Sequence, residues 1–462
     1  MKRKVSLLLV LVLLGSGLLA ACGPKTTPVA TEPPAVTEAP TSPPAEAPAE
    51  EVTITFAGRA VSGAPLEARD RALEGFAEKY PHITVEREEL PHADFWVKIP
   101  AEIAAGEGPD VISLPYLEQA VTFAAKGMLE PLDSYVDGPN GMDREEWLPE
   151  VLKYGVYGGE LMVLPKVLMI TGLAYNKDMF DAAGVAYPTD EWTWDDMLAA
   201  AKKLTLDANG KNAEDADFDP EAIVQWGIYT WWWNSDFDLY LWTFGGDWLN
   251  EGATECTLDS PQAIEAITFY GDLTQKYHVA PYIRELAPAH GHPAFMENKV
   301  AMAFVDIGNI GLVDESGVNW DMSVIPYDQD VGTRVAFMYG DGIAVLKGSE
   351  HKEAAWELAK FMASEWDSEL AKEGYGFPPL KSSMEEMKAM DISPKVKVLM
   401  EMYEAGWPRA IRATDYAGMV IEPCNTIMEG VLTKGAQPDY KALMEEANEQ
   451  CNLALQDAPK LE

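Results

Sequence analysis

Polar and apolar positions alternate from Glu51 to Phe56 (EVTITF), the period of a half-buried strand, and Ala57 to Pro65 then reads as a loop. Leu66, Leu73, Phe76 and Tyr80 recur at helical spacing up to the break at Pro81-His82, and Ile83-Thr84-Val85 predicts a second strand. Trp96, Ile99 and Ile103 mark a helix ended by Gly106 and Gly108, before the short apolar strand Pro109–Leu114. Strand, helix, strand, helix, strand is the order of a parallel sheet covered by helices. Further on, Tyr157 to Leu164 reads as a hairpin and Thr171 to Asn176 as a strand. Thr193 with Asp196 forms a capping box for a helix through Lys203. Ser260-Pro261 opens a helix with Ala263, Ile267, Tyr270 and Leu273 on one face. Ala301–Val305, Val324–Pro326 and Gly340–Val345 predict later strands, and Ser349 is expected to cap a helix bearing Ala355, Leu358 and Met362. The fold class is therefore α/β.

Two regions depart from this rhythm. At the N-terminus, Lys2-Arg3-Lys4 precedes an uncharged run from Val5 to Leu14, too short to serve as a membrane-spanning domain. Residues 1–21 read as a signal peptide, and Leu19-Ala20-Ala21-Cys22 resembles the lipobox of bacterial lipoproteins, which implies acylation of Cys22. Residues 22–50 hold eight prolines and no aromatic residue, so they form a tether of up to roughly 80 Å at about 3.1 Å per residue. The folded part begins near Glu51 and is attached to the membrane only through its lipid anchor.

The other is Trp226 to Trp248 (WGIYTWWWNSDFDLYLWTFGGDW), which carries six of the 14 tryptophans among short polar groups. Trp231, Trp232 and Trp233 are consecutive, so on either regular element they point different ways and at least one is expected at the surface. Indole faces beside Asn234 and Asp236 suit a ligand with C–H faces and hydroxyl edges, as a sugar has; a stretch of aromatic core is the alternative.

Charge narrows the partners. Removal of residues 1–21 takes three of the 35 basic residues and no acidic one, leaving 32 against 75, a formal −43. Nucleic acid and anionic headgroups need a basic face and are disfavoured. Cys256, Cys424 and Cys451 are too scattered for a disulfide scaffold. Ile421, Cys424, Met428 and Val431 share one helical face, as do Leu443, Ala447 and Cys451, so a turn near Gly435 would permit a Cys424–Cys451 bridge, with free thiols as the alternative. His290-Gly291-His292 has no further ligand at metal spacing, so no metal is expected, nor any cofactor. No GxSxG, HExxH, P-loop or GxGxxG occurs, and the reading is not an enzyme. A secreted glycosidase remains the alternative of a different class, because carboxylate pairs are plentiful.

Gly108-Pro109-Asp110-Val111, Gly127–Leu132, Leu164-Pro165, Tyr175–Phe180, Trp192–Asp196, Gly245-Gly246-Asp247, Leu258–Pro261, Phe295–Met302 and Glu353–Trp356 form an ordered set over about residues 52 to 455. In order and spacing the set resembles the extracellular solute-binding proteins of ABC importers, in the sugar-binding family that includes maltose-binding protein. The resemblance implies a two-lobed periplasmic-binding-protein fold (type II), each lobe a mostly parallel sheet flanked by helices. It assigns residues 51–168 with 338–377 to lobe 1 and 169–337 with 378–458 to lobe 2. Crossings are expected near Val167–Thr171, Ala336–Tyr339 and Gly376–Leu380. It implies a monomer that captures a saccharide between lobes and hands it to transporter permease subunits, outside the cytoplasmic membrane. A polyamine, peptide or glycerophosphodiester is the alternative ligand on the same fold.

The candidate ligand residues on inter-lobe loops are Arg59, Tyr116, Asp306, Asn309, Asp341, Trp407 and Arg412, besides Trp231, Trp232, Trp233, Asn234 and Asp236. Asp110 is expected to fix its loop rather than meet ligand. Three local departures from the family pattern, Asp341 in place of the common glycine, Gly308-Asn309 in place of a bulky aromatic, and the triple tryptophan, leave the ligand unnamed.

Overall fold

The computed structural model describes residues 50–117, 120–230, 234–282, 285–286, 291–410, 430–435 and 438–457. The alternation at the N-terminus becomes strand β1 (Val52–Arg59), with Ile54 and Phe56 buried and Thr53 exposed. The next helix, Ala64–Lys79, buries Ala68, Ala72 and Phe76 and keeps Leu66 and Leu73 at the edge of that face. Strand β2 (Ile83–Leu90), helix His92–Ala105 and strand β3 (Val111–Leu114) complete the opening unit, and both β2 and β3 pair with β1 in parallel. Asp110 fixes its loop as expected: Oδ2 accepts from Thr55 N at 2.8 Å and Oδ1 from Ser349 Oγ at 2.5 Å. Ser349 is thereby drawn away from the cap position of helix Lys352–Phe361, which falls on His351, although its hydroxyl still accepts from His351 N at 3.1 Å.

The short hairpin of β4 (Val156–Tyr157) and β5 (Glu160–Leu161) leads into β6 (Leu164–Asn176), thirteen residues with every position buried. After the small pair β7 (Leu206–Asp207) and β8 (Ile223–Gln225) come β9 (Met302–Asp306), β10 (Trp320–Ser323), β11 (Ala336–Val345) and β12 (Pro408–Arg409). The main sheet has eight strands in the order β10-β6-β11-β3-β1-β2, with β9 also on β6 and β12 on β11. Leu164–Ile170 of β6 pairs with β11, whereas Thr171–Asn176 pairs with β9 and β10. The sheet is parallel around β1, but β11 runs antiparallel to β3 and β6, and β9 and β10 antiparallel to β6. The sheet is therefore mixed: the mostly parallel arrangement expected from the sequence holds around β1 and where β12 joins β11, and the remaining pairs are antiparallel. The long strands β6 and β11 traverse the sheet in opposite directions, and their neighbours follow.

Local signals decide several further elements. Thr193 and Asp196 form the expected capping box at helix Trp194–Leu204, and Ser260 caps Pro261–Gln275 through Ala263 N. The segments around Val167–Thr171, Ala336–Tyr339 and Gly376 lie together: Met338 is opposite Ile170, Tyr339 is opposite Met169, and Leu168 and Phe377 exchange backbone hydrogen bonds. Gly376 fits because a Cβ there would lie 2.1 Å from Val167 Cγ2. Among the described residues, no helix is long and apolar enough to cross a membrane.

The expected Cys424–Cys451 bridge is corrected by the fold, in which Cys451 is bonded to Cys256, 195 residues away. Helix Tyr440–Asp457 packs on Pro261–Gln275 and lays Asn448, Cys451 and Asn452 along the segment Cys256–Leu258. Asn452 Oδ1 accepts from Cys256 N and Asn448 Oδ1 from Leu258 N, each at 3.0 Å. These bonds set the helix register that brings Cys451 to Cys256, a long-range docking that matching neighbouring helical faces does not reveal. Cys424 and Cys22 lie outside the described residues.

Candidate functional site

Arg59 ends β1, and Pro115-Tyr116 follows β3, so the two side chains leave the carboxyl end of adjacent parallel strands. Tyr116 has φ 64°, the left-handed region that a tyrosine rarely adopts, and its N–H donates to Asp341 Oδ1 at 3.3 Å. Asp341 sits at a bulge in β11, opposite Val167 of β6. The flanking glycines answer to strand packing: a Cβ on Gly340 would lie 2.5 Å from Val167 O, and one on Gly342 2.4 Å from Val163 Cγ1. The bulge releases the carboxylate from the regular alternation and turns it toward Tyr116 and β6.

The β6 partner is Lys166, which sequence reasoning passed over inside the apolar run Leu164–Ile170. It is 2% exposed, with Nζ 3.6 Å from Asp341 Oδ2 and 3.6 Å from the centroid of the Trp366 ring. Burial lowers the Lys166 pKa, and Asp341 opposes that shift. The available signal was a lone cation in a strand with no exposed face. Tyr339 and Tyr375 were also missed as individual residues, although they stand in and beside the expected crossings.

The Tyr116 ring packs at 5.7 Å from Tyr339 and 5.9 Å from His92. Tyr375 is pushed up to about 12, first by burial and then by the Asp341 and Asp306 carboxylates. Burial acts to lower the pKa of Arg59, but Asp341 and the surrounding phenols outweigh it and the net shift is upward. Arg59 is half-buried and has no hydrogen bond or ion pair with the described residues. Arg59, Ser113, Lys166, Asp341, Trp366 and Tyr375 line a small cavity of about 20 Å³. A larger hollow of about 410 Å³ lies elsewhere, with Asp195, Glu265, Asp328 and Asp330 in its wall. The chain's own cations already cover two of its rings, Lys202 over Tyr277 at 4.3 Å and Arg334 over Tyr327 at 4.2 Å. None of the strand-end candidates lines it, so volume alone does not mark the site.

Asp306 and Asn309 are brought near this cluster but hold each other: Asp306 Oδ2 accepts from Asn309 Nδ2 at 2.8 Å, and Oδ1 from Gly308 N at 2.9 Å. Those are the bonds of a turn cap at Ile307–Asn309. Trp407 is not part of the cluster. It is half-buried beside β12, 5.1 Å from the Arg334 guanidinium. Next to it, Arg409 pairs with Asp247 at 2.5 Å and lies 4.5 Å over Trp242. Trp242 stacks on Phe337 at 6.2 Å, and Phe337 lies 5.9 Å from Tyr339, so a row of rings leads back to Tyr116.

Within the aromatic stretch, Trp226, Phe237, Tyr240, Trp242, Phe244 and Trp248 are buried, so for these residues the core alternative holds. Trp231, Trp232, Trp233 and Arg412 lie outside the described residues, as do the side chains of Asn234 and Asp236. Among the described residues there is no group of three or more His, Cys, Asp or Glu able to hold a metal ion.

Half-buried aromatic faces, an arginine with no hydrogen bond or ion pair among the described residues and the Asp341 carboxylate thus come together beside the ends of β1 and β3. The chain is similar to the ABC substrate-binding protein from Listeria monocytogenes in complex with cycloalternan: 25% identity, TM-score 0.76, covering 88% of this chain and 100% of that one. It is 22% identical to the maltotriose-binding protein of Pyrococcus abyssi (strain GE5 / Orsay), over 64% of this chain and 60% of that protein. The sn-glycerol-3-phosphate-binding periplasmic protein of Agrobacterium fabrum (strain C58 / ATCC 33970) is 21% identical over 55% of this chain and 56% of its own. The fold is the two-lobed one of periplasmic binding proteins. The model of the bacterial extracellular solute-binding proteins matches residues 62–365, and the chain belongs to that family, whose members bind solutes outside the cytoplasm.

Proposed function

We propose that this protein captures a sugar or oligosaccharide between its lobes and delivers it, chemically unchanged, to the permease of an ABC transporter. The observation that carries the reading is Arg59, held half-buried beside Asp341 and Tyr116 with no hydrogen bond or ion pair for its five N–H groups among the described residues. A sugar hydroxyl accepts from the guanidinium and donates to the carboxylate, while its C–H face lies on the Tyr116 ring. The maltotriose- and cycloalternan-binding relatives support a saccharide. The glycerol-3-phosphate-binding relative, with Arg59 and Lys166 both at the cavity, supports a second reading in which the solute is anionic.

In this reading residues 51–168 with 338–377 and residues 169–337 with 378–458 are the two lobes. They turn about the paired segments at Ile170, Met338 and Phe377, since β6 changes partners between Ile170 and Thr171. Trp231, Trp232, Trp233, Asn234, Asp236, Trp407 and Arg412 are proposed for the opposite wall. The protein acts as a monomer, held by a lipid on Cys22 and free to reach along the tether of residues 22–50. It is a receptor and not an enzyme.

A thermal-shift screen of the purified protein against mono- and oligosaccharides tests the reading. Ligand at 100 times Kd adds roughly 2.7 kcal/mol. With about 2.1 cal/mol/K of unfolding entropy per residue, that raises the melting point of some 410 residues by about 3 °C. A panel that leaves the melting point unmoved contradicts sugar capture, and a chemically altered sugar recovered from the complex contradicts the receptor role.

A further inference from the structure

We propose that the captured sugar carries a carboxylate, as a uronate does, and that this group enters the cavity between Arg59 and Lys166. The inference rests on the sugar-capture reading and narrows it. The cavity holds about 20 Å³, and one buried water needs roughly 10–15 Å³ on such a measure. It therefore admits the head of a small polar group and leaves a sugar ring in the open cleft beside Tyr116.

The lining is rich in donors. Arg59 brings five N–H groups and Lys166 three, with the hydroxyls of Ser113 and Tyr375 beside them, against Asp341 as the one obligate acceptor among the described lining side chains. Arg59 has no hydrogen bond or ion pair among the described residues, and Lys166 meets Asp341 only at 3.6 Å, longer than a direct hydrogen bond. Trp366 Nε1 is buried and has no hydrogen-bond partner among the described residues. An occupant that only accepts satisfies this set better than one that must also donate.

Charge points the same way. Among the described residues Arg59 and Lys166 face a single carboxylate in the cavity wall, which leaves one positive charge over. Asp367 does not cancel it: the residue is fully buried, neither oxygen has a hydrogen-bond partner, and burial pushes its pKa well up against the pull of Lys166. Burial lowers the Lys166 pKa, and the Asp341 carboxylate and the Trp366 ring 3.6 Å from Nζ oppose that and favour its ammonium form. A hydroxyl leaves the surplus charge uncompensated in a partly dry site, whereas a carboxylate neutralises it and matches the guanidinium fork. The acidity of the whole chain does not oppose this, because screening confines exposed charges to about 8 Å at physiological salt.

Calorimetry on the purified protein at 0.15 M salt decides the matter with matched probes: galacturonate against galactose, glucuronate against glucose, and digalacturonate against galactobiose. A charged hydrogen-bonded pair predicts that at least one acid binds on the order of tenfold to a hundredfold more tightly than its neutral counterpart. Arg59→Gln should keep the wild-type melting point and reduce that preference to about threefold or less, and Lys166→Met should reduce it where it folds. Neutral sugars binding as tightly as the acids, a preference that survives in Arg59→Gln, or inorganic phosphate alone competing as well as the uronate each overturns the inference while sugar capture stands. If no acid or neutral sugar binds, sugar capture falls and this inference falls with it.

Discussion

Replacing Cys256 and Cys451 together by serine frees a chain segment of 195 residues in the unfolded state. Loop-closure entropy for that length corresponds to about 5 kcal/mol at 25 °C. The native state keeps the other ties of the C-terminal helix: the Asn448 and Asn452 side chains still accept from Leu258 N and Cys256 N, and Tyr440 Oη still donates to Asp272 Oδ1 at 3.0 Å. The helix should remain docked, and the loss should fall between about 2 and 5 kcal/mol. With an unfolding entropy near 0.9 kcal/mol/K for some 410 residues, this is a fall in melting temperature of about 2–6 °C by scanning calorimetry, with affinity for ligand unchanged. Non-reducing peptide mapping of the native protein should join the peptides of Cys256 and Cys451 and leave Cys424 as a thiol. A Cys424–Cys451 peptide, or a melting point unchanged by the double substitution, refutes the reasoning.

Asp110→Ala removes the acceptor of Thr55 N and Ser349 Oγ and should cost about 1–3 kcal/mol of stability without changing affinity, as read by denaturant unfolding and calorimetry. Trp242→Ala takes out a buried ring between Phe337 and Arg409 and should cost about 3–5 kcal/mol in the same unfolding experiment; an unchanged midpoint would show that the stretch is not core there. Cys22→Ser should move the protein from the membrane fraction to the soluble fraction, and persistence through a high-salt wash would count against lipid anchoring. Burial acts to raise the Asp207 pKa, but N–H bonds from Lys211, Asp219 and Asn209 outweigh it and the folded value is lowered. Its contribution is therefore complete above the unfolded-state pKa and is lost as pH falls through the lowered folded one. Amide exchange in residues 207–219 should accelerate in that acid window, and Asp207→Asn should abolish the pH dependence.

What the sequence discloses here is mostly local. The capping box at Thr193 and Asp196, the proline start at Ser260-Pro261 and the alternation of β1 each depend on residues within a few positions, and each forms as expected. Strand β6 was legible only as fragments, because Pro165 and Lys166 interrupt its apolar run. The proline is tolerated beside the β11 bulge, where it faces Gly342, and the lysine is tolerated because Asp341 and Trp366 receive it. A strand expected at Val324–Pro326 forms instead at Trp320–Ser323, the segment that reaches Leu173–Asn176 of β6. Arg59 and Tyr116 could be picked out from their places after strands and Asp341 from its place between two glycines, but the Lys166 contact and the Cys256–Cys451 bond arise from packing between distant segments. For the same reason Trp226, Trp242 and Trp248 look like ligand platform in the sequence and are core in the fold.

Sugar capture at the strand ends is tested most directly by titrating one stabilising saccharide, by calorimetry, into the wild-type protein and into Tyr116→Ala. The ring is half-buried at the surface of the Tyr339–His92 cluster, so its loss removes a stacking face and little core. Stacking of this kind contributes roughly 0.5–1.5 kcal/mol beyond area burial, so affinity should fall by about tenfold while the melting point of the unliganded protein stays within a degree or two. Equal affinity in the two proteins would contradict ligand binding at Arg59, Tyr116 and Asp341.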